Sequence, residues 1–365
     1  MSHRAPKTRS RSLRIPVPVG ILSEFLNMSN STVTWLQRNG QIPLSQRNPS
    51  TPLVARIAAS NTSLVVKQHQ VRRLFDIESA NLTFLSRVVP LSVPRVLYRN
   101  RQTCVLLLED AGDVCPDPSD KDHDSQDVAL MWKKILHSIA EIHHLTCVTP
   151  RLRREVYSGD LPNRPLLTPN RLGSALHEGC LELFRRKSLG RTTRRTLVHG
   201  LGEISNMLEK YRTRFKPYVI GERSSRNIRL LGNRIVHIDH SALPGFVPPA
   251  DLVSIWRSRW RESLISAYVE RRKDLGRSFD AEAFLRCDNA FTIYGCVLWC
   301  GLYMRTLHDL KARLPSTKES PLCPILENLS IAARSAQYLR MANLADALAF
   351  LSDSAREREA FQPHR

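Results

Sequence analysis

Residues 219–242 read VIGERSSRNIRLLGNRIVHIDHSA. The stretch divides into a polar turn, a short apolar strand, a two-residue Gly232-Asn233 turn and a second strand that ends in Asp239. Three oxygen-bearing side chains, Glu222, Asn227 and Asp239, stand at the strand ends. A hairpin of this kind is expected to hold a carboxylate, an amide and a second carboxylate at one edge, facing a common cleft. Phosphoryl transfer uses such a set: one oxygen orients an attacking hydroxyl, and two more serve Mg2+ on a nucleotide.

Upstream, PLVARIAAS and SLVVKQH, between residues 52 and 69, read as two strands joined at Asn61-Thr62. Lys67 closes the second. Glu78 then opens the helical run ESANLTFLSR, with Leu82 and Leu85 on one stripe. A strand Lys and a Glu on the next helix can pair, and the Lys can then grip nucleotide phosphates. VPRVLYRN (93–100) and TCVLLLED (103–110) form another hairpin, and Ala111-Gly112-Asp113 breaks the pattern as a hinge between lobes.

Beyond the hinge, residues 114–126 read as an acidic loop, and 129–145 as a helix with Met131, Ile135, Ile139 and Ile142 inward. His143 and His144 end that helix, where histidines are common; a metal would need further ligands nearby. Residues 150–172 read as loop and 176–215 as two helices carrying Arg185, Arg186, Lys187, Arg191, Arg194 and Arg195. That cluster is either a steering surface for anions or a solvated face. Pro248-Pro249-Ala250-Asp251-Leu252 starts a helix with Asp251 in its first turn, and the chain is helical from there to about Ser352. Trp256 and Trp260, one turn apart, read as core.

Residues 1–19 carry basic side chains and no acid, and read as a disordered tail; 356–365 read as a second, polar tail. Between 20 and 43, Ile21, Phe25 and Leu26 suggest one helix and Val33, Trp35 and Leu36 a second. That pattern is similar to small helix-turn-helix DNA readers; the plainer reading, which we prefer, is two helices packing at the start of a larger lobe. The resulting plan is a strand-rich lobe over 20–113 and a helical lobe with one polar hairpin over 114–355.

The totals agree with a protein of two lobes: 365 residues, 42% hydrophobic. The longest apolar run, Ala290–Met304, is shorter than the ~20 residues of a membrane span and reads as a buried helix. Eight cysteines without a CxxC pair fit reduced thiols in a cytoplasm rather than a disulfide framework. The net charge of +20 favours anionic partners, among them nucleotides, sugar phosphates, nucleic acid and anionic lipid.

Together, these pieces resemble the aminoglycoside phosphotransferase and choline kinase group of small-molecule kinases, over about residues 45–310. The resemblance implies an α+β, protein-kinase-like fold with a small antiparallel-sheet lobe and a larger helical lobe. It pairs Lys67 with Glu78 on the ATP phosphates. It matches the family's His-Gly-Asp, four residues, Asn loop to Ile220-Gly221-Glu222 and Asn227, and its metal Asp to Asp239 in Ile238-Asp239. Glu222 stands where the family has Asp, Ile220 where it has His, and QRNPST (46–51) where a glycine-rich loop would lie. A second partial match, His199-Gly200 with Asn206, has Leu201 in place of the Asp and lacks a following hairpin.

The resemblance implies ATP and Mg2+ as cofactors, with Asn227 and Asp239 as metal ligands and Glu222 positioning the acceptor hydroxyl. It also implies adenine binding along Leu108–Gly112 (with Glu109 and Asp110) and Asp251 bracing the loop. The substrate would be a small hydroxyl-bearing molecule of the aminoglycoside, sugar or amino alcohol class. Two other readings stay open: a pseudokinase that binds nucleotide or a protein partner, and a basic nucleic-acid-binding protein.

Overall fold

The computed structural model describes residues 31–37, 52–59, 62–118, 125–148, 191–215, 227–240, 247–276, 278–310 and 323–360. The chain divides into two compact units, residues 1–111 and 112–365.

The first unit is a five-stranded antiparallel sheet in the order β1-β2-β3-β5-β4. Its strands are β1 (Ser31–Gln37), β2 (Leu53–Ala59), β3 (Thr62–Gln68), β4 (Val96–Asn100) and β5 (Val105–Glu109). One helix, α1 (Arg72–Val88), lies between β3 and β4 in sequence. Ile57, Leu64, Val66, Val105 and Leu107 form its sheet core. On β3, Leu64 and Val66 alternate with Val65 and Lys67, the period-2 pattern that puts the two sets on opposite faces.

Two expectations fail here. Residues 31–37 are not a helix but the edge strand β1, paired from Ser31↔Ala59 to Gln37↔Val54. Their sequence, STVTWLQ, is rich in β-branched and aromatic residues, which favour strand. The helix-turn-helix reading therefore lacks its second helix, and residues 20–30 and 38–43 lie outside the described residues. Helix α1 starts at Arg72 rather than at Glu78. Val71 is extended, and its carbonyl accepts the amides of Leu74 and Phe75. Glu78 is thus in mid-helix, on a buried stripe with Phe75, Leu82 and Leu85.

The second unit opens with a short strand, β6 (Asp113–Val114), where a loop was expected. It pairs with β7 (Ile228–Leu231), which pairs with β8 (Arg234–His237), giving an antiparallel sheet in the order β6-β7-β8. Leu231 and Arg234 face each other across the anticipated Gly232-Asn233 turn. The helices are α2 (Gln126–Val148), α3 (Arg191–Phe215), α4 (Arg261–Leu275), α5 (Ala281–Leu310), α6 (Cys323–Tyr338) and α7 (Ala342–Ala360), with a 3-10 helix at Pro248–Ile255. Helix α7 runs past Ser352, where the helical pattern was expected to end, and residues 361–365 lie outside the described residues.

Among the described residues, two apolar clusters stand out in this unit. One gathers Ile135, Leu136 and Ile139 of α2 with Ile228, Leu252, Ile255, Tyr268 and Phe284, so the hairpin and the 3-10 helix share a core with α2. The other joins α3, α5, α6 and α7 and takes in Trp256, Cys296 and Cys300. The six described cysteines with placed side chains are free thiols. Among the described residues, no helix is long and apolar enough to cross a membrane.

Gly112 lets the chain enter the β6 pairing. Its φ is +88°, and a Cβ there would lie 2.1 Å from the Leu230 carbonyl oxygen on β7. Gly232, at φ +59°, has open space around the same position. Gly232→Ala is expected to cost about 1 kcal/mol, the left-handed penalty alone. Gly112→Ala adds a backbone collision and should cost clearly more, upwards of about 2 kcal/mol. Urea midpoints of the two variants check the order; equal losses would contradict it.

Candidate functional site

In the first unit, β3 and α1 bring Lys67 and Glu78 together as the sequence suggested. Lys67 is 6% exposed and Glu78 1%. Lys67 Nζ lies 2.9 Å from Oε1 and 2.8 Å from Oε2 of Glu78. A third group, which sequence reasoning missed, joins them: His69 Nε2 lies 2.7 Å from Glu78 Oε2. His69 is the residue after β3, on the parity of Lys67, and its amide donates to the Cys104 carbonyl at 2.9 Å. Burial by itself would push the Glu78 carboxyl up; the Lys67 ammonium and the nearby His69 ring outweigh it and hold it well below the usual carboxylate range.

At the end of the same unit, the Asp110 carboxylate is engaged within the sheet. Arg56 Nε and Nη2 approach its two oxygens at 2.8 and 2.9 Å, and the Ser63 hydroxyl donates to it as well. Glu109, half-buried, donates its amide to the Arg95 carbonyl at 2.9 Å.

In the second unit, the last rung of the β7–β8 hairpin holds Asn227 beside Asp239. The Ile238 amide donates to the Asn227 carbonyl at 2.9 Å, so the residues that close the two strands are neighbours. Asp239 then takes φ +60°, a left-handed conformation that costs a non-glycine residue of order 1–3 kcal/mol and is concentrated at functional sites. His237 and His240 on either side are fully buried, and His240 Nε2 donates to the His237 carbonyl at 2.7 Å, closing the turn around Asp239. His237 Nε2 is 3.2 Å from the Ser138 hydroxyl on α2. Asn227 and Asp239 are thereby brought to one end of the hairpin; an amide and a carboxylate are ligand types that Mg2+ takes, with phosphate and water completing its shell. Ile220, Gly221 and Glu222 lie outside the described residues, as do Arg185, Arg186 and Lys187.

Asp251 is 1% exposed in the first turn of the 3-10 helix. His143 Nε2 is hydrogen-bonded to its Oδ2 at 2.9 Å, and His143 Nδ1 to the Tyr268 hydroxyl at 2.8 Å. Burial pushes the Tyr268 phenol well above its ordinary value. His143 is thus not a surface histidine at a helix end. The spacing that could have shown this is its place on the α2 stripe, after Ile135, Ile139 and Ile142. By contrast, His199 of the partial loop match sits exposed in mid-α3 beside Glu203.

No protein-family model matches the sequence, and no curated protein matches it. Solved structures do match in three dimensions. A mutant of aminoglycoside 2′-phosphotransferase IIIa in complex with GDP shares 14% of its sequence with this chain, over 88% of this chain and 97% of that one, with a TM-score of 0.54. The wild-type enzyme with GDP gives 13%, 87%, 97% and 0.52. The choline kinase of Cryptosporidium parvum Iowa II gives 10% identity over 90% of this chain and 98% of that one, at 0.52. The fold is therefore the protein-kinase-like fold of small-molecule phosphotransferases. In particular, it is the fold of the aminoglycoside phosphotransferases and choline kinases, as the sequence resemblance implied.

Because the Glu78 carboxyl is held below its ordinary 4.5, its contribution to stability is fully present above that pH. It is lost as the pH falls towards the folded value. The stability gap between wild type and Glu78→Gln should be widest above about pH 5 and narrow below about pH 4.5. Urea melts across that range measure it, and a gap constant with pH would refute the buried charged pair.

Proposed function

We propose that this chain is an ATP-dependent phosphotransferase that moves the γ-phosphoryl group of ATP to a hydroxyl of a small molecule of the aminoglycoside, sugar or amino alcohol class. The buried Lys67–Glu78 pair carries this reading: a charged pair excluded from water on β3 and α1, in a fold shared with small-molecule kinases. Lys67 binds the α- and β-phosphates, and Glu78 orients it. The backbone of Leu108–Gly112 binds adenine, beside Glu109 and Asp110. Asn227 and Asp239 hold Mg2+, which when bound neutralises charge on the phosphate oxygens. Glu222 orients the acceptor hydroxyl. The hydroxyl oxygen bonds to the γ-phosphorus, the bond to the β–γ bridging oxygen breaks, ADP leaves, and the hydroxyl proton passes to Glu222 or to water. Asp251, bonded to His143, braces the loop that carries Glu222. The GDP in the aminoglycoside 2′-phosphotransferase IIIa structure supports a nucleotide site in this fold.

Ile220 and Glu222 favour a second reading, a pseudokinase that binds nucleotide without efficient turnover. Glu carries the charge of Asp on one more methylene, which displaces the carboxylate by roughly 1 Å.

The test is nucleotide consumption with Mg-ATP and Mg-GTP across a panel of aminoglycosides, sugars and amino alcohols. Asp239→Ala should lower acceptor-dependent turnover by roughly 100-fold or more. Turnover equal in wild type and variant across the panel would overturn the enzyme reading. A thermal shift with Mg-ATP but no turnover, together with raised activity in Glu222→Asp, would establish the second.

A further inference from the structure

Glu78 is held by two residues of β3's end, not by one. Lys67 Nζ reaches both carboxylate oxygens, and His69 Nε2 reaches Oε2 at 2.7 Å. His69 is 3% exposed. Both ring nitrogens are buried without an aligned hydrogen bond among the described residues, and Phe75 meets the ring edge-on at 6.3 Å between centroids. The carboxylate of Glu78 is therefore the only anionic partner of this ring among the described residues. Nε2 is thus within donor distance of Glu78 Oε2 but not aligned on it, and a small turn of the ring would aim an Nε2–H there.

A phosphate that draws Lys67 turns ammonium hydrogens away from Glu78. At 1% exposure, water cannot replace them, and a buried carboxylate that loses a donor is costly. His69 does not face that competition. We propose that His69 is a positioning residue of the nucleotide site: when Lys67 engages phosphate, the His69 ring turns to donate Nε2–H to Glu78 and keeps that carboxylate aimed. The inference rests on the reading of Lys67 as the phosphate-binding residue.

The experiment is calorimetric binding, on the full chain, of Mg-ATP or Mg-GTP, whichever wild type binds more tightly, and of the matching nucleoside. Lys67→Ala, His69→Leu and His69→Gln are compared with wild type. His69→Leu keeps approximate volume without a donor, and His69→Gln restores an N–H. The expected result is nucleotide affinity lowered roughly 10-fold or more in His69→Leu, an unchanged nucleoside affinity, and recovery in His69→Gln. A purely structural role would weaken nucleotide and nucleoside alike. That outcome, His69→Leu binding as wild type does, or His69→Gln no better than His69→Leu would each overturn the proposal. If Lys67→Ala weakens the nucleotide and His69→Leu does not, only this inference falls. If wild type binds neither nucleotide, or Lys67→Ala leaves the affinity unchanged, the phosphate-site reading falls and this inference with it.

Discussion

A carboxylate buried on the apolar stripe of α1 is the constraint to which the first unit answers. Glu78 takes the position between Phe75 and Leu82 that a hydrophobic residue would fill without penalty. An isolated buried charge costs far more than any one side-chain contact returns, so the site exists only if donors are supplied. They come from alternate residues at the end of β3, and the β3–β5 register from Leu64↔Glu109 to Gln68↔Val105 fixes where that end lies. Replacing the group by a packed apolar residue would be the cheaper way to build a core. Its retention is what distinguishes this position from the rest of the stripe.

The second unit also buries a carboxylate. Tyr268, His143 and Asp251 form a buried hydrogen-bonded chain, with Tyr268 in the cluster that α2 shares with the hairpin. The chain joins α4, α2 and the 3-10 helix. Hairpin and α2 are also linked by Ile228 in the core and by His237 at Ser138. The left-handed Asp239 is thus held by its surroundings: the Asn227–Ile238 rung on one side and the His240 clasp on the other. Local strain persists only where the neighbourhood over-determines it.

Much of this could be read before any coordinates, and the failures have physical reasons. Period-2 patterns placed β2, β3 and β5, and the Gly232-Asn233 turn placed the hairpin, because strand burial and turn chemistry are local properties. STVTWLQ is ambiguous in sequence because isolated apolar residues in a short window fit either period, and pairing with β2 is a non-local fact. Lys67 and Glu78 were found as a pair through their order along the chain. His69 was passed over because a histidine after a strand has no local signature; its role follows from which helix residue the fold brings to it. His143 was discounted for its place at a helix end, although the 3.6-residue stripe of α2 continues through it.

The number of donors, not burial alone, decides the state of a buried acid here. Asp288 on α5 is as buried as Glu78, at 1% exposure. Its one cation is Arg261, which also reaches Thr292, and its Oδ1 has no partner among the described residues. Burial there outweighs Arg261 and pushes the carboxyl up. At Glu78 the balance is reversed: Lys67 stands against both oxygens, and His69 lies 2.7 Å from one of them. With similar desolvation on both sides of the comparison, Lys67 together with His69 achieves what a single guanidinium does not. That contrast gives His69 a share in the charge state of Glu78 that its place outside the strand would not suggest.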